Sequence, residues 1–151
     1  MQQYTLGVAL SADKKSVVLI KKNRPLWQEG CWNFIGGSVE DDEDPFQTMV
    51  REFKEETGVE TTASLWNRFG SISSTDYIVH LFYIKDDVVR EAKTMTDETV
   101  DIMDVAEIHA AFINENNRAI FLHNFMTILH FTINDAVKGA KITLVYNSYV
   151  D

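Results

Sequence analysis

The chain has 151 residues, 45% of them apolar and 25% charged, and a formal net charge of −9. This is enough length to bury a substantial core in one domain, and no run approaches the roughly 20 apolar residues of a membrane span. The acidic balance works against a nucleic-acid polymer as partner, because such binders need a basic surface to displace counterions.

The first residues, Met-Gln-Gln-Tyr-Thr-Leu, lack the basic and apolar stretches of a secretory leader and read as the run into a strand. YTLGVAL at 4–10 and SVVLIKK at 16–22 are rich in β-branched residues and flank the turn-like SADKK, which predicts a hairpin. Lys21, Lys22 and Arg24 form the obvious basic patch of the first half. A small anionic substrate would need such a patch, or a bound metal, to overcome the average repulsion. Cys31 is the only cysteine, which excludes an internal disulfide, fits a reducing compartment and makes the cytoplasm the default expectation. WNFIGG at 32–37 reads as a short strand ending at paired glycines.

A helix is predicted next. Asp44 suits the N-cap, Pro45 the first helical position, and Gln47 completes a capping box. Phe46, Met49, Val50 and Phe53 recur at i, i+3, i+4 and i+7, and Gly58 supplies the stop. Further strands are expected at 64–72, 77–84 and 142–150, with 77–84 apolar on both faces and therefore central. Asp104 followed by Glu107 opens a short helix near 105–112, and a longer helix is expected over about 117–137, before Gly139. With no repeat, low-complexity tract or linker, residues 1–151 read as one α/β domain of layered α/β/α type.

Stepping about 100° per residue from Phe46, the apolar set of the first helix lies within about 60° of zero, while Glu52, Glu55 and Glu56 fall between about 180° and 280°. Three carboxylates thus share a face opposite the packing face. Like charges at i, i+3 and i, i+4 destabilise a helix by a few tenths of a kcal/mol per pair, and the C-terminal dipole disfavours them further. A Mg²⁺ ion resolves this, since it takes carboxylate oxygens while keeping waters and phosphates in its shell. On the helix alone, a plain solvated acidic face explains the same residues.

The surrounding sequence carries more. From Gly37 to Val59, GSVEDDEDPFQTMVREFKEETGV resembles the Nudix box: Gly37, Glu43, Arg51, Glu52, Glu55, Glu56, Gly58 and Val59 all fall at its spacing. Phe53 departs from the usual aliphatic residue, and Ile35 stands where the approach sequence Trp-x-Phe-Pro-Gly-Gly usually has proline. The resemblance implies a Nudix α/β/α sandwich with a mixed sheet that hydrolyses a nucleoside diphosphate linked to another moiety, using Mg²⁺ or Mn²⁺. It implies Glu52, Glu55 and Glu56 as metal ligands with the Gly36 carbonyl, and Arg51 as their positioner, paired to Glu43. Glu40 would stand in an outer shell or serve as an extra ligand, and Gly37 would allow close backbone approach. Glu56, or Glu98 from the later loop, would be the general base.

Other features weigh less. Asp41 and Asp42 read as solvated, and His80, His109, His123 and His130 as ordinary surface or core histidines. Trp27, Trp32 and Phe34 could each stack a base or pack in the core, with Trp27 expected at the pocket mouth near Arg24. Tyr77, eighteen residues past Val59, stands where relatives acting on diadenosine polyphosphates often carry tyrosine. The favoured substrates are therefore dinucleotide-like: a diadenosine polyphosphate, ADP-ribose or FAD. The alternatives are a house-cleaning nucleoside triphosphate pyrophosphatase and a non-catalytic nucleotide-binding module. The expected partner is a small nucleotide, with no polymer and no membrane, and a homodimer is left open.

Overall fold

The computed structural model describes residues 1–113 and 124–146. Its strands are β1 (Gln2–Leu10), β2 (Ser16–Lys21), β3 (Trp32–Asn33), β4 (Ile35–Ser38), β5 (Asn67–Ser73), β6 (Tyr77–Lys85), β7 (Val100–Asp104) and β8 (Ile142–Val145). Its helices are α1 (Pro45–Thr57), α2 (Val105–Ile113) and α3 (Phe125–Asn134). The strands form one mixed sheet, ordered β3-β2-β1-β6-β5-β8, with β4 paired to β1 and β7 to β2.

Strand β1 organises the sheet. One of its edges pairs in parallel with β6 from Gln2↔Tyr77 to Leu10↔Lys85. The other edge is shared between two antiparallel partners. Tyr4–Gly7 face Ser38–Ile35 of β4, and Ala9 and Leu10 face Val18 and Val17 of β2. This fork brings the paired glycines of β4 into the sheet immediately before the chain enters α1.

Alternation of side chains sorts the core into two layers. Val8, Leu10, Val17, Leu19 and Leu81 point to the side covered by Ile108 of α2 and Phe125, Ile128 and Leu129 of α3. Ala9, Val18, Ile20, Phe82 and Ile84 point to the other side, against Met49 and Phe53 of α1 and Trp66. The expected α/β/α sandwich with a mixed sheet is the observed one.

The local signals around α1 act as read. The Asp44 side chain accepts the Gln47 N–H at 3.0 Å, and the Gln47 side chain accepts the Asp44 N–H at 2.8 Å. Gly58 ends the helix with φ +78°, a conformation that glycine adopts without a Cβ penalty. Phe53 is fully buried edge-on against Trp66, with ring centroids 5.3 Å apart.

Elsewhere the boundaries move. WNFIGG divides into β3 and β4 around the buried Phe34, which stacks on Phe125. The strand expected at 64–72 begins only at Asn67, after a 3-10 turn at Ala63–Leu65. The described part of the helix expected at 117–137 is α3, entered from Asn124 with φ +66°. It gives way to a 3-10 turn at Ala136–Lys138, stopped by Gly139. Residues 114–123, including His123, and 147–151 lie outside the described residues. Strand β7 was not among the expected elements. Among the described residues no helix is long and apolar enough to cross a membrane.

Candidate active site

The Arg51 guanidinium is the hub of the acidic segment. Its Nη2 lies 2.6 Å from Glu43 Oε1 and donates to the Ser38 carbonyl at 3.0 Å, while Nη1 meets Glu52 at 2.9 Å and Glu55 at 3.3 Å. Glu43 also accepts from the Thr48 hydroxyl at 2.8 Å and the Glu40 amide at 3.1 Å. Hydrogen bonding to Arg51 leads these effects and holds the Glu43 carboxyl at about 2, well below its usual range. The Glu43 carboxylate is thus fully answered by Arg51, Thr48 and backbone, whereas Glu52 and Glu55 share the same guanidinium.

The other side of the helix differs. The Glu52 side chain is only 14% exposed, and a Cβ added to Gly37 would lie 2.3 Å from its Oε1. The backbone of β4 and this carboxylate are therefore in direct contact, and a side chain at 37 would displace the Glu52 carboxylate. A Cβ on Gly36 would lie 1.9 Å from the Thr5 carbonyl oxygen, so that position is closed by β1 itself. Glu56 Oε2 is buried and has no hydrogen-bond partner. Burial above all, then the charges of Glu52 and Glu98, push the Glu56 carboxyl up to about 8; Lys22 and a backbone hydrogen bond from Gly36 oppose the rise. Burial also raises Glu52.

This arrangement corrects the helical-wheel picture. Glu52 and Glu56 do not lie on a solvated face opposite the core; they are turned in against β4, and only Glu55, at 57% exposure, faces solvent. Among the described residues no three acidic, histidine or cysteine side chains converge as a ready ligand set, and Arg51 holds Glu52 and Glu55 to itself. The donor chemistry nevertheless fits a hard cation: a buried, unpartnered carboxylate oxygen beside the carboxylates of Glu52 and Glu98.

Glu98, from the loop before β7, is placed beside Glu56. It is 5% exposed, lies 3.3 Å from Lys22 Nζ, and accepts the Asn23 amide at 2.7 Å. Lys22 is the residue that sequence reading left in a general basic patch; its place between two acids was detectable only once Glu98 was seen to fold back on β2. Arg24 is exposed and paired to Asp97. Trp27 is 73% exposed in a 3-10 turn at Leu26–Gln28. Glu40 is exposed, and its amide rather than its carboxylate joins the network. Tyr77 does not join the glutamates: it packs edge-on against Tyr4 at 6.4 Å, and by alternation with Val79 and Leu81 it faces the α3 side of the sheet, away from α1.

The NUDIX domain family model matches residues 1–125. The chain belongs to this family. Among Nudix relatives it is 41% identical to the CTP pyrophosphohydrolase of Escherichia coli K12 over 81 residues, which are 54% of this chain and 60% of that protein. It therefore spans less than two thirds of that relative's length. It is 24% identical to the ADP-ribose pyrophosphatase of Bacillus subtilis over 140 residues, covering 90% of this chain and 76% of the relative. The MutT protein of Bacillus halodurans has the same Nudix fold, with a TM-score of 0.67 at 15% identity over 100% of this chain and 94% of that one. Gly37 to Val59 of the Nudix match is the segment built around Arg51 and the glutamates.

Proposed function

We propose that the chain is a divalent-cation-dependent pyrophosphohydrolase that cleaves a diphosphate linkage in a small nucleotide. The observation that carries this reading is the buried Glu56 carboxylate, unpartnered at Oε2 and crowded by Glu52 and Glu98. Mg²⁺ or Mn²⁺, when bound, neutralises phosphate charge and makes water a better nucleophile. Glu52 and Glu56 would hold it, with Glu55 released from Arg51 and the Gly36 carbonyl nearby.

The remaining roles belong to this chain's own groups. Arg51, anchored by Glu43 and the Ser38 carbonyl, fixes where Glu52 and Glu55 stand. The glycines of β4 let β1 and the Glu52 carboxylate close directly onto that strand. Glu98, held by Lys22 and the Asn23 amide, would take a proton from an attacking water, with Glu56 as the alternative base. Arg24 and Trp27, both exposed at the same end of β2, supply charge and a π-face to the nucleotide.

For the substrate, Tyr77 gives the dinucleotide reading no support from this geometry, because it packs across the sheet from α1. Relatives of higher identity act on nucleoside triphosphates: the CTP pyrophosphohydrolase, and the 8-oxo-dGTP diphosphatase of Proteus vulgaris at 39% over 59 residues. The reading we favour is release of pyrophosphate from a nucleoside triphosphate, with dinucleotide-type cleavage as the second. The test is product identity from CTP, 8-oxo-dGTP, ADP-ribose and a diadenosine polyphosphate, each with Mg²⁺ and with chelator. Turnover that survives chelator overturns the cation reading; a tenfold preference by kcat/KM for ADP-ribose or the diadenosine polyphosphate overturns the triphosphate reading.

A further inference from the structure

At the first turn of α1 lies a pocket of about 370 Å³, lined in part by Phe46, Trp66, Arg68, Phe69, Tyr83 and Lys141. It is separate from the glutamates. Glu52 and Glu56 meet β4, whereas this pocket is built on β5 and the turn before β8, and β1 and β6 stand between β4 and β5. We propose that it is a second binding site, for a single aromatic anion of the nucleoside monophosphate class.

Charge gives the first argument. Among the described residues Lys22, Arg24, Arg51, Lys54 and Arg90 pair with carboxylates and the other lysines and arginines do not, so what counts at this pocket is that two cations line one cavity free of acids. Arg68 and Lys141 have no carboxylate partner among the described residues, and no lining residue is acidic. Two unanswered cations facing one cavity mark a place for an anion.

Both cations are also held in place. Arg68 Nε donates to His80 Nδ1 at 3.1 Å, and His80 Nε2 lies 2.8 Å from Gln3 Oε1. The Lys141 ammonium donates to the Arg68 carbonyl at 2.9 Å. These bonds use one N–H of each cation and leave the Arg68 Nη groups and the rest of the Lys141 ammonium for a ligand. A guanidinium fork so presented matches a phosphate, and its ordering is already complete before binding. The backbone arranges this: β5 carries a bulge between Arg68 and Gly70, and such bulges re-aim the side chain beside them. A Cβ at Gly70 would lie 2.0 Å from the Ile142 carbonyl oxygen, so glycine there lets β8 close onto β5, and Gly139 at φ +91° makes the turn that delivers Lys141.

The walls select the rest of the ligand. Phe46 is a half-buried aromatic ring in the same lining as the two cations, so a planar group can lie on carbon while its anionic substituent meets Arg68 and Lys141. The volume sits at the low end of ligand pockets, which suits one nucleoside with one phosphate and not a dinucleotide.

The test is a titration of the ¹⁵N-labelled chain with AMP in EDTA, followed by amide shifts, with adenosine and inorganic phosphate as parallel probes. The expected result is saturable shifts over residues 67–70 and 139–141 with AMP, Gly36 and Gly37 unmoved, and each parallel probe binding more weakly. Lys141→Gln, a solvent-exposed change, and the double variant Arg68→Gln/Lys141→Gln should each weaken AMP, the double by at least ~10-fold. Absence of saturable shifts at these amides, or equal AMP affinity in a folded Lys141→Gln protein, overturns the proposal. Phosphate or adenosine binding as tightly as AMP overturns the ligand class. Shifts confined to Gly36 and Gly37 also overturn it, while leaving the catalytic reading intact.

Discussion

Glu43 and Glu56 stand at opposite ends of one short stretch of chain, and the fold treats their carboxylates in opposite ways. Glu43 is met by Arg51, Thr48 and the Glu40 amide, and its acidity is strengthened to about 2. Glu56 is buried with one oxygen unpartnered among like charges, and its acidity is weakened to about 8. A closed ion-pair network needs nothing further. A buried carboxylate with one oxygen unpartnered and like charges beside it costs stability until a proton or a cation arrives, and such destabilised groups concentrate at functional sites. The difference separates scaffold from site within one motif.

The largest expected effect is catalytic. Glu56→Gln should lower kcat by at least ~10²-fold in a Mg²⁺-dependent assay, because it removes a charged oxygen from the proposed cation site. The same variant should melt no lower than wild type in EDTA, since no folded-state partner of Oε2 is lost. Glu55→Gln should show the same loss of turnover. Wild-type rates in both variants would erase the distinction between the two regions.

Breaking the closed network should do the reverse. Glu43→Gln leaves Arg51 without its main partner and should cost about 1.5–3 kcal/mol in urea unfolding, the range for hydrogen bonds to charged groups. An unchanged urea midpoint would show that Glu43 is ornamental to the fold. Phe53→Ala, on the face of α1 that packs against Trp66, should cost ~3–5 kcal/mol and marks the scale of a true core loss.

A pH profile joins the two carboxylates. Glu43 binds its proton more weakly folded than unfolded, so its contribution is present above the usual 4.5 and is lost as pH falls towards about 2. Glu56 binds its proton more tightly when folded, so its contribution is lost as pH rises from 4.5 through about 8. The melting temperature in EDTA should therefore rise through the first window and fall through the second. Mg²⁺ should flatten the second limb alone, and Glu56→Gln should remove it. A second limb identical in wild type and Glu56→Gln would mean that another group titrates there. The smallest effect is expected at Tyr77: Tyr77→Ala should leave kcat for a nucleoside triphosphate within about twofold, because the ring lies across the sheet from α1.

Much of this was readable before any coordinates. The cap, the capping box, the stop glycine and the apolar stripe of α1 are local signals, set by neighbours within a few residues, and they acted as read. What sequence could not supply was what packs on the second flank of that helix. A helical wheel assigns Glu52 and Glu56 a direction but cannot say that β4 will lie in it, because β4 is placed there by its pairing with β1. Lys22 was hidden for the same reason, since its partner Glu98 is distant in sequence. Strand β7, VDIMD, is short and alternates acids with apolar residues, so it reads as a loop until β2 pairs with it. Tyr77 shows the limit in another form: a strand pattern gives alternation but not which face meets α1.

The most direct measurement of the central claim is the proton balance of cation binding. Glu56 carries a proton at pH 7 when its carboxyl is held at about 8, and a divalent cation must displace it. Calorimetric titration of the metal-free chain with Mn²⁺ in buffers of different ionisation enthalpy should show close to one proton released per cation at pH 7, declining above pH 8, and none in Glu56→Gln. Cation binding without proton release at pH 7, or the same release in the variant, would contradict the account.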